Sequence, residues 1–248
     1  MRLQLQTWAE VERYLETSTT AIMPIGSTEQ HGPNGLIGTD AVTSEEIAYK
    51  VGELTNTMVA PTISVGMAQH HMAFKGSMTL RPATLISVIS DYVDSLAHHG
   101  FDHFYFINGH GGNMATIQAA FQEIYTAHIL GGAGNNEPSV RCGLRNWWQG
   151  QKTGKLLKEL YGDKDGRHAT ASEVAVTQHL FPDNIKDVAM APPGPITGPW
   201  SDGNDYRAKY PDGRIGSHPD LATPEAGKRI FDQAVEEICE DVGKFAES

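Results

Sequence analysis

At 248 residues, 40% hydrophobic and 20% charged, the chain is long enough to bury a full core as a single domain over 1–248, and no second domain is required. Its net charge of −11 disfavours nucleic acid or an anionic membrane as partner, since both would repel it. Cys142 and Cys239 form no CxxC pair and no disulfide framework, as in a reduced intracellular protein.

The N-terminal MRLQLQTWAEVERYL lacks the apolar core and cleavage site of a signal peptide. No stretch approaches the roughly 20 apolar residues of a membrane span, so a cytoplasmic location is expected. Thr7-x-x-Glu10 is a capping box that opens an amphipathic helix. The apolar run ending at Ile25 predicts a buried strand over 20–25. Gly26, Gly32, Pro33, Gly35 and Gly38 then break the chain into a long loop carrying Glu29, His31 and Asp40. Glu29 and His31 are two apart, so in extended backbone both side chains fall on one side and can reach one centre or two adjacent ones. Two carboxylates and an imidazole suit Zn²⁺, or Mn²⁺ or Fe²⁺ with more oxygen ligation. The alternative is that all three meet water in a polar loop.

Periodicity gives a helix over 41–54, a strand over 57–60, a helix over 83–99 and a strand over 102–107. The last breaks into Asn108-Gly109-His110-Gly111-Gly112-Asn113, repeating the earlier order of strand and glycine-rich turn before a helix over 114–130. In open α/β sheets ligands collect outside the carboxyl ends of the strands, which would bring His110 to the same opening as Glu29, His31 and Asp40. His110 is then either a further ligand or a hydrogen-bonded structural imidazole.

A strand near 139–145 and a helix over 151–161 follow. In His168-Ala-Thr-Ala-Ser-Glu173, one continuous helix would hold His168 and Glu173 roughly 140° apart, too far to share a face. His168 therefore belongs to the loop before a helix over 171–180, and Glu173 to its first turn, where a carboxylate also complements the helix dipole. Residues 191–220 are rich in Pro and Gly and carry Trp200, Tyr206 and Tyr210. They form the longest stretch without helical or strand periodicity, a candidate lid or subunit contact. Thr223-Pro224-Glu225 caps a last helix over 224–246. The alternation predicts a three-layer α/β/α fold around a mainly parallel sheet.

Five blocks in this order, GSTEQHGPNGLIGTD, FKGSMTL, NGHGGN, HATASE and GSHPDLATPEAGKRI, make the chain resemble the creatininase family of metal-dependent amidohydrolases over nearly its whole length. The resemblance implies a creatininase-like fold and a ring-like homohexamer. It also implies two divalent metal ions, Zn²⁺ with Zn²⁺, Mn²⁺ or Fe²⁺ in the second site. It matches Glu29, His31, Asp40 and His110 to the family's metal ligands, with Asp40 bridging the two ions. Glu173 matches the glutamate of the HA…E segment and His168 the histidine that opens it.

The chain also departs from the pattern. Creatininase has a glutamate two residues beyond the histidine of NGH, where this chain has Gly112. Glu173 is then the expected fifth ligand, since Glu123 would lie roughly 20 Å along a helix from His110. Asn34 and Gly35 stand where many relatives have a histidine and an aliphatic residue or proline. Lys75 replaces a proline, and His70 precedes His71 where glutamate is common. These changes are expected around the pocket, and Trp147 or Trp148 beside the substrate.

The implied chemistry is hydrolysis of a small-molecule amide, a creatinine-like cyclic amide or a formamide. Family peptide cleavage or deformylation is the alternative. Two cations bridged by Asp40 would acidify a shared water and polarise the amide carbonyl. His168 is the expected proton donor to the leaving nitrogen, with Glu173 binding metal or shuttling the proton. A metallophosphoesterase is disfavoured, because the chain has no GDxxD-like block and no basic cluster for a phosphate. A non-catalytic protein binding metal or a small ligand is the other rival, and turnover distinguishes it.

Overall fold

The computed structural model describes residues 1–130 and 140–248. Four parallel strands form its centre: β1 (Thr20–Ile25), β2 (Met58–Val59), β3 (His103–Asn108) and β4 (Arg141–Asn146), in the order β2-β1-β3-β4. Strict alternation along β1 and β3 divides the core in two. Ala21, Met23, Ile25, Phe104 and Phe106 face α3 (Pro82–Ala97) and α4 (Met114–Leu130), with Tyr14 of α1 (Trp8–Leu15) packed among them. Ile22, Tyr105 and Ile107 face α2 (Thr39–Leu54), α5 (Gln151–Tyr161), α6 (Ala171–Leu180) and α8 (Pro224–Ala246). Burial on both faces is what a parallel sheet requires, and this is the three-layer α/β/α arrangement expected. Pro24 sits beyond the end of β2, and its carbonyl accepts from Ile63 N–H, so its missing donor breaks no β1–β2 ladder.

The elements fall where periodicity puts them, with two instructive exceptions. α2 begins at Thr39 rather than 41, because Gly38 takes the N-cap position, so Asp40 lies in the first turn of a helix and not in the loop. The stretch 191–220 is not wholly irregular. It contains α7 (Gly203–Lys209), started by Asp202, whose carboxylate accepts from the N–H groups of Asn204 and Asp205. At seven residues α7 is too short to show a period. Ser139, inside the strand expected near 139–145, lies outside the described residues. Among the described residues no helix is long and apolar enough to cross a membrane.

Candidate metal centre

β1 and β3 end side by side, and a glycine follows each. A Cβ at either Gly26 or Gly109 would collide with the backbone of Asp40, so the absence of side chains lets both strand ends close on the first turn of α2. Asn113 cross-ties the loops: its amide donates to Gly26 O and Asn108 Oδ1, and its Oδ1 accepts from Met67 N–H. Asn108 in turn donates to His110 O and to Asn146 Oδ1 at the end of β4. The glycine-rich turns are thus pinned by amides rather than left loose.

Six predicted residues converge in this frame. Asp40 lies between two imidazoles, Oδ1 at 2.9 Å from His31 Nε2 and Oδ2 at 3.0 Å from His110 Nδ1. Glu29 Oε2 is 3.3 Å from His110 Nε2, and Glu173 Oε1 is 3.7 Å from His31 Nε2. Two triads with metal-ligating atoms follow, Glu29–Asp40–His110 and His31–Asp40–Glu173, and Asp40 belongs to both. His168 closes a third group with Glu29 and His31, its Nδ1 3.7 Å from Glu29 Oε1. Glu173 keeps its helix-start role as well, accepting from Thr170 N–H in a capping box, so dipole and cluster use the same carboxylate.

The electrostatics call for positive charge. Burial pushes the imidazoles toward neutrality, yet the carboxylates of Asp40, Glu173 and Glu29 outweigh it and lift His31 to about 10. Glu29 and Asp40 likewise overcome burial and lift His110 to about 9. Burial raises Glu173 to about 7 and also raises Glu29. Asp40 moves below the usual carboxylate range, because the two imidazoles overcome its burial. Glu29 Oε1, His31 Nε2, Asp40 Oδ2 and His71 Nε2 are all buried without an aligned hydrogen bond. Short contacts without alignment among Glu29, His31 and Asp40 suit a mixed oxygen and nitrogen set of divalent-cation ligands, with His71 beside them as a neighbour of Glu29 and not as a ligand.

Two residues that the sequence reading passed over complete the centre. His71 packs on Glu29, Nε2 to Oε1 at 3.1 Å, and Gln30 spans His71, His168 and Gly213. The signal for Gln30 was its place between Glu29 and His31, since alternation turns it to the opposite side. The departures from the family pattern sort unevenly. His70 and Gly112 line the cavity, but Asn34 does not: its amide donates to Pro219 O, and it lies against α6 on another side. Gly35 is required by close approach, because a Cβ there would collide with the His31 carbonyl. Lys75 is exposed and does not line the cavity. The expectation that all these changes surround the pocket is therefore corrected for Asn34, Gly35 and Lys75. A Cβ at Gly112 would collide with His110 Nε2, and Glu173 supplies the carboxylate from α6. Glu123 is exposed on α4.

Above Asp40, His110, His168 and Glu173 opens a cavity of about 820 Å³. Trp147 and Trp148 both line it, as do Trp200 and Tyr210 from the 191–220 stretch. That stretch is wall rather than loose excursion. Tyr210 OH bridges the backbone of Thr197, Lys209 donates to Pro199 O, and Trp200 stacks on His70 at 5.4 Å.

A sequence profile described as creatinine amidohydrolase, Creatininase, matches residues 4–242. Over 92% of this chain and 86% of its own length, the mycofactocin precursor peptide peptidase of Mycobacterium ulcerans is 26% identical. The creatinine amidohydrolase of Pseudomonas putida is 24% identical over 95% of this chain and 94% of its own. A crystal structure of creatinine amidohydrolase superposes with a TM-score of 0.86 at 23% identity, covering 100% of this chain and 98% of that one. Similar solved creatininases are described as a manganese form and as a Zn–Zn type. With a match across nearly its whole length and the fold that goes with it, the chain belongs to the creatininase family of hydrolases.

Proposed function

We propose that the protein hydrolyses an amide C–N bond of a small molecule with two divalent cations held by Glu29, His31, Asp40, His110 and Glu173. The observation that carries this reading is Asp40, whose two oxygens face different imidazoles and belong to two overlapping triads. Zn²⁺ suits one position and Zn²⁺, Mn²⁺ or Fe²⁺ the other, in keeping with the ligand set and with the metals of the solved relatives. When bound, such a pair acidifies a shared water and polarises the amide carbonyl.

The chain's own groups handle the proton. His168 Nε2 lies 2.8 Å from Gln30 O and must donate to it, which leaves Nδ1 as an acceptor beside Glu29. Burial and the neighbouring imidazoles hold His168 well below its ordinary pKa, so it rests neutral. Resting His168 is therefore a base: it takes a proton at Nδ1 before it can deliver one to the leaving nitrogen. The substrate is a creatinine-like cyclic amide or a formamide. Peptide cleavage is the second reading, favoured by the mycofactocin peptidase relative. A single catalytic domain, assembly as a homohexamer and a cytoplasmic location complete the proposal.

Metal analysis of the purified protein, coupled to a panel of cyclic amides, formamides and short peptides, tests it. Two equivalents of metal with turnover are expected, and Asp40→Ala should empty both positions. His168→Ala should lose turnover and keep its metal. Full metal retention in Asp40→Ala would remove the bridging role, and loss of metal in His168→Ala would make His168 a ligand.

A further inference from the structure

The cavity over the metal centre is large and mostly apolar, yet its lining includes one lysine or arginine among the described residues, Arg167. Arg167 is exposed, and its guanidinium makes no hydrogen bond or ion pair with the described residues. Its nearest acid in sequence, Asp165, is committed elsewhere, accepting from Ser172 N–H at 2.9 Å and from Ser172 Oγ at 2.9 Å. Arg214 shows what a structural arginine looks like in this protein: buried, with Nε and Nη2 on Asp212 and Nη2 also on Ala191 O. Arg167 has none of this. Its backbone is nonetheless fixed, since its N–H donates to Ile215 O, and the next residue is His168 at the cavity floor. Adjacent α-carbons are about 3.8 Å apart, so the Arg167 side chain is anchored one residue from His168 in the lining of the same cavity.

We infer that Arg167 selects substrates bearing a carboxylate, and that the amide cleaved is that of an N-acyl amino acid. A lone guanidinium matches a single planar carboxylate through two parallel N–H···O bonds. A phosphate held away from the metal centre would call for a second lysine or arginine, and among the described residues the lining offers none. Trp147, Trp148, Trp200 and Ile196 supply apolar wall for a hydrophobic side chain. At about 820 Å³ the cavity falls within the range that takes a drug-sized ligand, larger than a small cyclic amide needs. The inference rests on the proposed hydrolysis and names its substrate class.

The test compares N-acetylphenylalanine with N-acetylphenethylamine, which keeps the amide and the ring and lacks the carboxylate. Binding to the full-length, metal-loaded protein is followed by tryptophan fluorescence, since three tryptophans line the cavity, and turnover by release of acetate. The acid should bind and react preferentially in the wild type. In Arg167→Ala the ratio of kcat/KM for acid over neutral amide should fall roughly 10- to 100-fold, carried by KM, with metal content retained. Arg167→Lys should recover part of it. Equal binding of the two compounds by wild type, binding of neither, or an equal loss on both in Arg167→Ala would overturn the inference. Arg167-dependent binding of the acid without turnover of either compound would instead count against the hydrolytic reading and leave carboxylate recognition standing.

Discussion

Gln30 has two amide hydrogens and three neighbours, and the count fixes the protonation of two histidines. Its Nε2 lies 3.0 Å from Gly213 O, 2.9 Å from His71 Nδ1 and 2.9 Å from His168 Nε2. Because His168 Nε2 must donate to Gln30 O, it cannot also accept, so the two hydrogens go to Gly213 and His71. His71 then carries its proton on Nε2, facing Glu29, and burial together with the imidazoles around it keeps it neutral, far below its usual pKa. Gln30 Oε1 is used as well, accepting from Gly32 N–H. One residue thus sets both imidazoles that flank Glu29, His71 through its side-chain amide and His168 through its backbone carbonyl. Gln30→Leu removes the side-chain bonds to His71, Gly213 and Gly32 without adding charge and leaves the backbone carbonyl to His168. Its expected cost is roughly 10- to 100-fold in kcat or in metal affinity, the range for groups that orient metal ligands. Steady-state kinetics with metal titration reads it, and wild-type values in both would show Gln30 to be packing only.

At the scale of elements, α5 starts without a side-chain cap of its own, because Gly150 holds the N-cap position. Glu237 of α8 supplies the cap across the interface: Oε1 accepts from Lys152 N–H, and Oε2 from Thr153 N–H and Thr153 Oγ. Burial opposes the charge, but these bonds prevail and hold the Glu237 carboxyl below its ordinary value of 4.5. A depressed carboxylate stabilises the fold above its unfolded pKa, and that contribution is lost as pH falls through the folded value. Glu237→Gln should therefore cost about 1–3 kcal/mol in urea melts at neutral pH, and the gap from wild type should narrow below 4.5. A pH-independent gap would assign the loss to packing. Such caps in trans are illegible in a sequence, because Gly150 and Glu237 are far apart along it. Caps in cis were readable at Thr7 and Thr223, where donor and acceptor lie three residues apart, and the structure adds Thr170 at the same spacing. The same contrast runs through the metal centre. Glu29, His31 and His110 follow strand ends in glycine-rich turns and were legible, as was Asp40, which the first of these turns delivers into the start of α2. His71 was hidden because its role depends on Gln30 and on a loop folded back over β1, and α7 was too short to announce itself.

For the whole molecule, the cluster is a cross-link as well as a site. Its side chains come from the loop after β1, the first turn of α2, the turn after β3 and the first turn of α6, so bound cations would join the sheet to two helices. In the folded chain without metal, Glu29, Asp40 and Glu173 crowd one buried volume with only imidazoles to balance them, and burial raises two of the three carboxyls. A cation that binds the folded state and not the unfolded one adds stability by mass action, about 2.7 kcal/mol at a free concentration 100 times Kd. For a chain of this length each kcal/mol moves Tm by roughly 2–4 °C, so thorough chelation should lower Tm by about 5–11 °C for each ion removed. Returning Zn²⁺ or Mn²⁺ should restore it. Asp40→Ala is the decisive control, since it removes the ligand common to both triads, and its Tm should not respond to either metal. Differential scanning calorimetry of the chelated, reloaded and Asp40→Ala proteins makes the comparison. An unchanged Tm on chelation, once loss of metal is verified, would mean that the cluster holds its shape through protons alone. A metal-dependent Tm in Asp40→Ala would place the stabilising ion outside the two triads.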